Sequence, residues 1–319
     1  MEIVSEALTP ERKREWEDFL NRCDGATFYH SVGFNEQYRH KCESVAYLIF
    51  RRGSRTVAGI PGGICLRGNA RVFKSPFSAS FAGFVFPSYA GARTCSEVVE
   101  ALHSWCVEQG VEEMEIQQTP SFYGEGAYDL VEYALRCAGY EMSAYELCHV
   151  INLQPDPESL FTSSARAQYR QALSAKLQLA PSRDLTASYG LVAESKKKKG
   201  AAPSVPLEDY LALSKLLEGK VRTYSVQLDG QEIAVGVFYA LSSKGLMTFW
   251  LAHRDDAQQH RPINFLICEV GRSAYKEGFR ALDFGTTSDG GVLNSGLAHF
   301  KEGLGARPFL RRRFRCRLR

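Results

Sequence analysis

Residues 278–306 read GFRALDFGTTSDGGVLNSGLAHFKEGLGA. This pattern predicts a buried strand over Arg280–Phe284, a Gly- and Ser-rich loop over Gly285–Gly291, and a short helix over Leu293–Gly303. Polar, flexible loops between the end of a strand and the start of a helix commonly hold the reactive groups of α/β proteins. We therefore expect the functional site at this loop, with Asp283 in the strand and Lys301 in the helix as its first candidates.

Length and composition are those of an ordinary globular protein of about two domains. The chain has 319 residues, of which 45% are hydrophobic and 24% are charged, and its formal net charge is +3. This charge is too small to indicate nucleic-acid binding by itself. No apolar run approaches the roughly 20 residues of a membrane helix, and the charged N-terminus lacks the apolar core of a signal peptide. We therefore predict a cytoplasmic protein.

The nine cysteines are scattered along the chain. They show neither a CxxC pair nor the spacing of a zinc site. Because cysteines of cytoplasmic proteins are normally reduced, we predict that they serve as reduced packing residues.

The second half of the chain contains a recognisable order of elements. Helices are predicted over Leu160–Ala175 and Leu185–Ser195, three antiparallel strands between Val221 and His253, and a long helix over Ile263–Glu277. The strand and helix of residues 278–306 follow, and an arginine-rich strand ends the chain. This order matches the α/β (α+β) sheet of the GNAT acyltransferase fold.

The first half carries a degraded version of the same order. Strand-like runs over Val45–Arg51, Val57–Leu66 and Phe81–Phe86 precede an amphipathic helix over Ser96–Gln109. Self-similarity at this scale suggests two packed copies of one fold. A proline pair after residue 154 marks the boundary. We predict an N-terminal GNAT-like domain over residues 1–154 and a C-terminal one over residues 155–319, each with a mixed, mostly antiparallel sheet flanked by helices.

Several segments resemble the FemAB-like branch of the GNAT superfamily, which comprises peptidoglycan-bridge aminoacyltransferases and relatives in exopolysaccharide gene clusters. In the second half these segments are SARAQYRQA (164–172), LDGQEIAVG (228–236), GFRALDFG (278–285) and HFKEGLGA (299–306). In the first half, Trp16 with Phe19 and the segment Ala26–Ser31 are similar to the opening of that family. The signature from Phe300 and Lys301 to Gly305 is the most specific of these pieces.

The resemblance implies a tandem GNAT fold with a cleft for two substrates. The donor would be an acyl-CoA or an aminoacyl-tRNA. The acceptor would be an amine of a nucleotide-linked peptide or nucleotide sugar, so the product would be an amide on a cell-envelope or exopolysaccharide precursor. By analogy, Lys301 would lie near the acyl carbonyl, and Arg166 and Arg170 near the phosphates of the acceptor. Neither a metal nor a permanently bound cofactor is implied.

Each candidate residue also has a structural interpretation. Lys301 supplies positive charge to the oxyanion or the leaving group, or it is a solvated helix lysine. Asp283 acts as a base, or it caps the backbone of the following loop. Arg166 and Arg170, four residues apart, form a phosphate fork or a solvated helix face.

The remaining candidates concern substrate binding and proton transfer. Tyr29 and His30 line the acceptor side or simply pack, and Phe300 and Trp250 are further substrate-binding candidates. Three histidines are candidate bases, although none has a triad-like sequence context: His253, His260 and His299.

The identity of the donor is left open by the sequence. Residues 259–264, QHRPIN, stand where the acetyl-CoA branch has a Gly-rich loop for pyrophosphate. Without glycines, a phosphate cannot approach the backbone N–H groups as closely. The coiled-coil arm of some tRNA-dependent relatives is also missing. Both departures leave acyl-CoA and aminoacyl-tRNA as alternatives.

Two basic segments support an alternative function of another class. Lys196–Lys199 is predicted to lie in a loop, and five arginines alternate along the last strand: Arg311, Arg313, Arg315, Arg317 and Arg319. They would contact an anionic substrate, nucleic acid or a membrane surface, or they would protect an edge strand. The alternative is therefore a non-catalytic GNAT-fold protein that binds nucleic acid or nucleotide, including tRNA, through its basic rim.

Overall fold

The chain forms two compact units in a computed structural model that describes residues 1–5, 9–124 and 128–318. Unit 1 consists of Met1–Glu146 and Leu310–Arg319, and unit 2 of Leu147–Phe309. The division thus lies inside a strand, upstream of the proline pair that marks the predicted boundary. The last residues return to unit 1 because their strand pairs with one of its strands, with Phe314 opposite Ile116.

Unit 1 is built on a mixed, mostly antiparallel sheet. Its strands are β1 (Glu2–Val4), β2 (Ser44–Arg52), β3 (Arg55–Arg67), β4 (Ala70–Ser75) and β5 (Glu113–Ile116), and its helices are α1 (Pro10–Leu20), α2 (Val32–Gln37), α3 (Ala92–Glu108) and α4 (Tyr128–Cys137). Strands β1 to β5 are neighbours in that order. β4 and β5 are parallel, because α3 connects them as a crossover. β6 (Glu141–Asn152) begins in unit 1 and ends in unit 2, and β14 (Arg307–Arg317) returns to unit 1.

Unit 2 contains the remaining elements. Its helices are α5 (Ser163–Ser174), α6 (Leu185–Lys198), α7 (Leu207–Leu216), α8 (Pro262–Lys276) and α9 (Ser295–Gly303), and its strands are β7 (Gln178–Pro181), β8 (Val221–Leu228), β9 (Gln231–Ala240), β10 (Gly245–His253), β11 (Ala281–Thr286), β12 (Ser288–Asp289) and β13 (Val292–Leu293). The main sheet has the order β6-β11-β10-β9-β8-β7. Among the pairings described for this sheet, β10 and β11 are parallel, with α8 as the crossover, and the others are antiparallel. Apolar residues of the sheet and of α8, such as Phe238, Leu266 and Leu282, form the core.

Residues 82–85 close the sheet of unit 1 beyond the end of β4. Val85 pairs with Gly59 of β3, and Ala82 forms a parallel bridge with Gln118, just after β5. The Gln118 side chain donates to the carbonyl of Phe84 at 2.6 Å and accepts from its N–H at 2.9 Å. The predicted strand over Phe81–Phe86 is therefore replaced by isolated bridges, which nevertheless fill the space that a strand would occupy.

Two of the nine cysteines form a disulfide. The β2–β3 register pairs Ser44 with Ile64 and brings Cys42 close to Cys65, with the two Cα atoms 4.2 Å apart. The prediction that every cysteine is reduced is wrong for this pair, because the pairing depends on strand register and not on a sequence motif. The other seven lie outside this disulfide, and most of them are buried, as packing residues would be: Cys23, Cys95, Cys106, Cys137, Cys148, Cys268 and Cys316.

The helices follow their capping signals, with one exception at the lysine run. Thr9 caps α1, whose first residue is Pro10. The predicted loop at Lys196–Lys199 is wrong for its first three residues, because α6 continues to Lys198. Lysines in the last turn of a helix are favoured by the helix dipole. Within the described ranges, no helix is long and apolar enough to cross a membrane.

Candidate active site

Strands β10 and β11 separate after a short parallel pairing. Gly245–Met247 pairs with Ala281–Asp283, and the two strands then follow different neighbours. β10 continues to His253 alongside β9, with an irregularity between Thr248 and Trp250, whereas β11 continues to Thr286 alongside β6. The result is an opening in the sheet, bordered on one side by the backbone of β10.

Asp283 lies where the two strands separate. Its side chain is buried, and Oδ1 accepts a hydrogen bond of 2.7 Å from the N–H of Gly285. Gly285 has a φ of +66°, a conformation that glycine adopts without a steric penalty. The contact is that of a carboxylate that caps the loop backbone, as the structural alternative proposes. The role of Asp283 as a base stays a prediction.

Lys301 projects from α9 back to the same loop. It is only 4% exposed, so the alternative of a solvated helix lysine is wrong. Its Nζ donates to the carbonyl oxygens of Gly285 at 3.1 Å and Thr286 at 2.7 Å, and to Oγ1 of Thr287 at 3.1 Å. The structure therefore brings Lys301 and Asp283 to one loop, directly after the strands separate.

His149 on β6 is a member of this cluster that the sequence did not reveal. The imidazole is fully buried, with Nδ1 2.7 Å from Oγ1 of Thr287 and Nε2 3.2 Å from Oε1 of Glu302. The sequence signal that could have revealed His149 is its position inside the apolar run LCHVI (147–151). A polar side chain buried in such a strand needs hydrogen-bond partners. His299, one of the predicted bases, is exposed on α9, and the other two lie at or beyond the end of β10.

Arg166 and Arg170 lie on α5 in different environments. The guanidinium of Arg166 donates to the carbonyl oxygens of Glu158 at 3.2 Å, Ser159 at 3.1 Å and Phe161 at 3.1 Å. Arg170 is exposed. Arg166 thus holds the backbone that precedes α5, and the role of the two arginines in phosphate binding stays a prediction.

The aromatic candidates contact other hydrophobic side chains. Trp250 is buried, with its ring 5.7 Å from that of Tyr189 and 5.5 Å from that of Tyr210. Phe300 packs against the core of unit 2. In unit 1, the ring of Tyr29 lies 5.0 Å from that of Phe34. These contacts favour packing for Trp250 and Tyr29, and their roles in substrate binding stay predictions.

His30 is buried in unit 1, and its Nδ1 lies 3.1 Å from the N–H of Thr27. Burial lowers the pKa of His30 from 6.5 to about 4.

This shift predicts that acid destabilises the protein. As the pH falls from 6.5 to 4, the unfolded chain binds a proton at His30 and the folded protein does not, so the free energy of unfolding should decrease by about 3 kcal/mol. Urea denaturation across this range would measure the loss. His30→Gln should show a smaller pH dependence, and an identical dependence in the variant and the wild type would contradict the assignment.

The N-terminus of α8 occupies the place of the Gly-rich loop. Arg261 precedes Pro262 and adopts a left-handed conformation with a φ of +53°. That conformation costs a residue other than glycine roughly 1–2 kcal/mol. Among the described residues, Nε of Arg261 is buried without a hydrogen-bond partner. The chain thus adopts a glycine-like conformation at this position with a cationic side chain.

Several side chains of the basic segments pair with carboxylates. In the last strand, Arg312 contacts Glu132 at 2.9 Å, Arg313 contacts Glu115 at 3.7 Å, and Arg315 pairs with Glu113. Arg311 is buried and lies over the ring of Phe81 at 5.1 Å, and Arg319 lies outside the described residues. Lys198 contacts Glu194 at 2.9 Å and Asp255 at 2.8 Å. These pairs offset part of the charge on which nucleic-acid binding by a basic rim would depend, and that alternative stays a prediction.

Comparisons with known proteins agree with this architecture. Residues 163–302 match the acetyltransferase (GNAT) domain family. No curated protein matches the chain in sequence. The solved structure of FemX is similar over 100% of this chain and 98% of its own, with a TM-score of 0.76 and 12% identity.

Two further solved structures resemble the chain. A tandem GNAT protein from the clavulanic acid biosynthesis pathway covers 100% of this chain and 98% of its own, with a TM-score of 0.58 and 12% identity. The structure of L-PGS from Bacillus licheniformis is similar over 98% of this chain and 93% of its own, with a TM-score of 0.57 and 14% identity. At these identities the likeness concerns the fold, and it confirms the predicted tandem, mixed α/β architecture.

Proposed function

We propose that the chain transfers an acyl or aminoacyl group to an amine, because residues 163–302 match the acetyltransferase (GNAT) domain family and the fold is similar to that of FemX. The acceptor we propose is an amine of a nucleotide-linked precursor of the cell envelope or of an exopolysaccharide. The donor is an acyl-CoA thioester or an aminoacyl-tRNA ester.

The observation that carries this proposal is the opening between β10 and β11. Beyond Met247, β10 pairs only with β9 among the described residues, so the other edge of its backbone can pair with amide groups of a bound donor. Thr248 lies at the point of separation, and its Oγ1 is buried without a hydrogen-bond partner among the described residues. An unsatisfied buried hydroxyl costs roughly 1–3 kcal/mol, which a polar group of a ligand would relieve.

The reaction requires a neutral amine, a stabilised oxyanion and aligned substrates. The amine nitrogen attacks the acyl carbonyl, a C–N bond forms, and the C–S or C–O bond to the donor breaks. The leaving thiolate or alkoxide takes up the proton that the amine loses. We propose that the Lys301 ammonium stabilises the oxyanion from the loop after β11, where burial strengthens the effect of its charge.

The acceptor phosphates are assigned to α5 in this proposal. Arg170 is exposed on that helix and is available to an anionic ligand. Arg166 would act mainly on the backbone before α5, since its guanidinium already binds three carbonyl oxygens.

The function is tested by offering donors and acceptors separately and detecting the product by mass spectrometry. We expect an amide when an acyl-CoA or aminoacyl-tRNA is combined with a nucleotide-linked amino sugar or muropeptide. The same acceptor with its amine already acetylated serves as the control and should give no product. RNase treatment should abolish transfer only if the donor is aminoacyl-tRNA. No transfer from either class of donor to any free amine would contradict the proposal.

A further inference from the structure

Four polar side chains form a continuous chain of hydrogen bonds through unit 2. Glu302 contacts His149, His149 contacts Thr287, and Thr287 contacts Lys301. His149, Thr287 and Lys301 are buried, whereas the Glu302 side chain is 53% exposed. In a buried network every donor must meet an acceptor, because an unsatisfied member costs more in a low-dielectric interior.

The hydrogen-bond chemistry fixes the direction of the network. An ammonium group only donates, so Oγ1 of Thr287 accepts from Lys301. The Thr287 hydroxyl can then donate its own hydrogen to Nδ1 of His149, at 2.7 Å. With Nδ1 as an acceptor, the imidazole proton is on Nε2, which donates to the carboxylate of Glu302 at 3.2 Å.

The other neutral tautomer does not fit these contacts. A proton on Nδ1 would occupy the second lone pair of Thr287 Oγ1 and leave the threonine hydrogen without its acceptor in this network. It would also turn the lone pair of Nε2 toward the Glu302 carboxylate. Glu302 therefore selects the tautomer that accepts from Thr287.

We propose that His149 is a positioning residue for acyl transfer, an inference that rests on the proposed function. Through Thr287, His149 fixes one of the acceptors that direct the Lys301 ammonium, and Glu302 holds the imidazole in the required tautomer. Small displacements of a catalytic group are costly, since a shift of about 1 Å can lower a rate by about 100-fold.

Thr287→Val tests the link between His149 and Lys301, because valine keeps the shape of threonine and removes the hydroxyl. We expect kcat to decrease by roughly 10–100-fold with little change in KM, because a small displacement of the Lys301 ammonium would weaken its action on the transition state. Thr287→Ser should restore most of the activity. Thr186→Val makes the same chemical change at an exposed position of α6 and should leave kcat unchanged. Full activity in Thr287→Val would overturn the inference while the proposed function stands.

The tautomer provides a readout that does not depend on activity. Heteronuclear NMR of the imidazole nitrogens should show His149 protonated at Nε2 in the wild type, and Glu302→Ala should shift it toward a mixture of tautomers. Protonation at Nδ1 in the wild type would overturn the inference even in an active enzyme. If the wild type transfers no acyl group to any amine, the proposed function fails, and the positioning role in catalysis fails with it.

Discussion

Lys301→Ala should lower kcat by about 100–1000-fold, which is the usual effect of removing one group that stabilises an oxyanion. The free energy of unfolding should also decrease, by about 1–3 kcal/mol, because two carbonyl oxygens and a hydroxyl lose their shared donor. Steady-state kinetics and urea denaturation would measure the two effects separately.

Two further variants define what the lysine contributes. Lys276→Ala removes an exposed lysine from the last turn of α8 and should change neither quantity. Lys301→Arg keeps the charge with a different geometry, so a partial recovery of kcat would point to electrostatics. If Lys301→Ala folds and retains kcat within about twofold, less than 1 kcal/mol of transition-state stabilisation is lost, and the catalytic role is wrong.

Gly305→Ala should destabilise the protein by about 2–5 kcal/mol, whereas Gly303→Ala should be nearly neutral. Gly305 has a φ of +80°, and a Cβ there would lie 2.5 Å from Cβ and 2.7 Å from the carbonyl oxygen of Leu160. The left-handed conformation costs an alanine roughly 1–2 kcal/mol, and overpacking adds about 1–3 kcal/mol. A Cβ on Gly303 would have Oγ1 of Thr162 as its nearest atom, at 3.8 Å, which is an ordinary contact.

Thermal and urea unfolding of these two glycine variants would test this difference. Similar stabilities would show that the loop at Gly305 moves away from Leu160 without cost, contrary to the prediction. The comparison also gives the signature a physical meaning. Gly305 of Phe300-Lys301-x-Gly-x-Gly is required by backbone conformation and space, and Gly303 is not.

Local chemistry explains the parts of the fold that the sequence predicts well. Asp229 and Gly230, with φ values of +50° and +78°, form the predicted turn between β8 and β9. The helix predicted over Ile263–Glu277 is observed as Pro262–Lys276, since Pro262 defines its start. Signals carried by neighbouring residues are sufficient at both places.

Contacts between distant parts of the chain explain what the sequence did not predict. Residues 82–85 join the sheet through Gly59 and Gln118, so their conformation is set by partners far along the chain. The same applies to His149, whose partners Thr287 and Glu302 follow 138 and 153 residues later. A candidate site could thus be located at the loop after β11 from its composition. The buried histidine of this site could not be predicted from the sequence, because its contacts depend on tertiary packing.

Two copies of one fold in a chain would offer two binding sites, but residues 82–85 close the corresponding place in unit 1. In unit 2 the parallel strands β10 and β11 separate. In unit 1 the backbone of residues 82–85 lies beyond the end of β4, and the Gln118 side chain holds it with two hydrogen bonds. Under the proposed function, each chain would then bind one donor molecule, in unit 2. Catalysis would constrain the sequence of unit 2 and not that of unit 1.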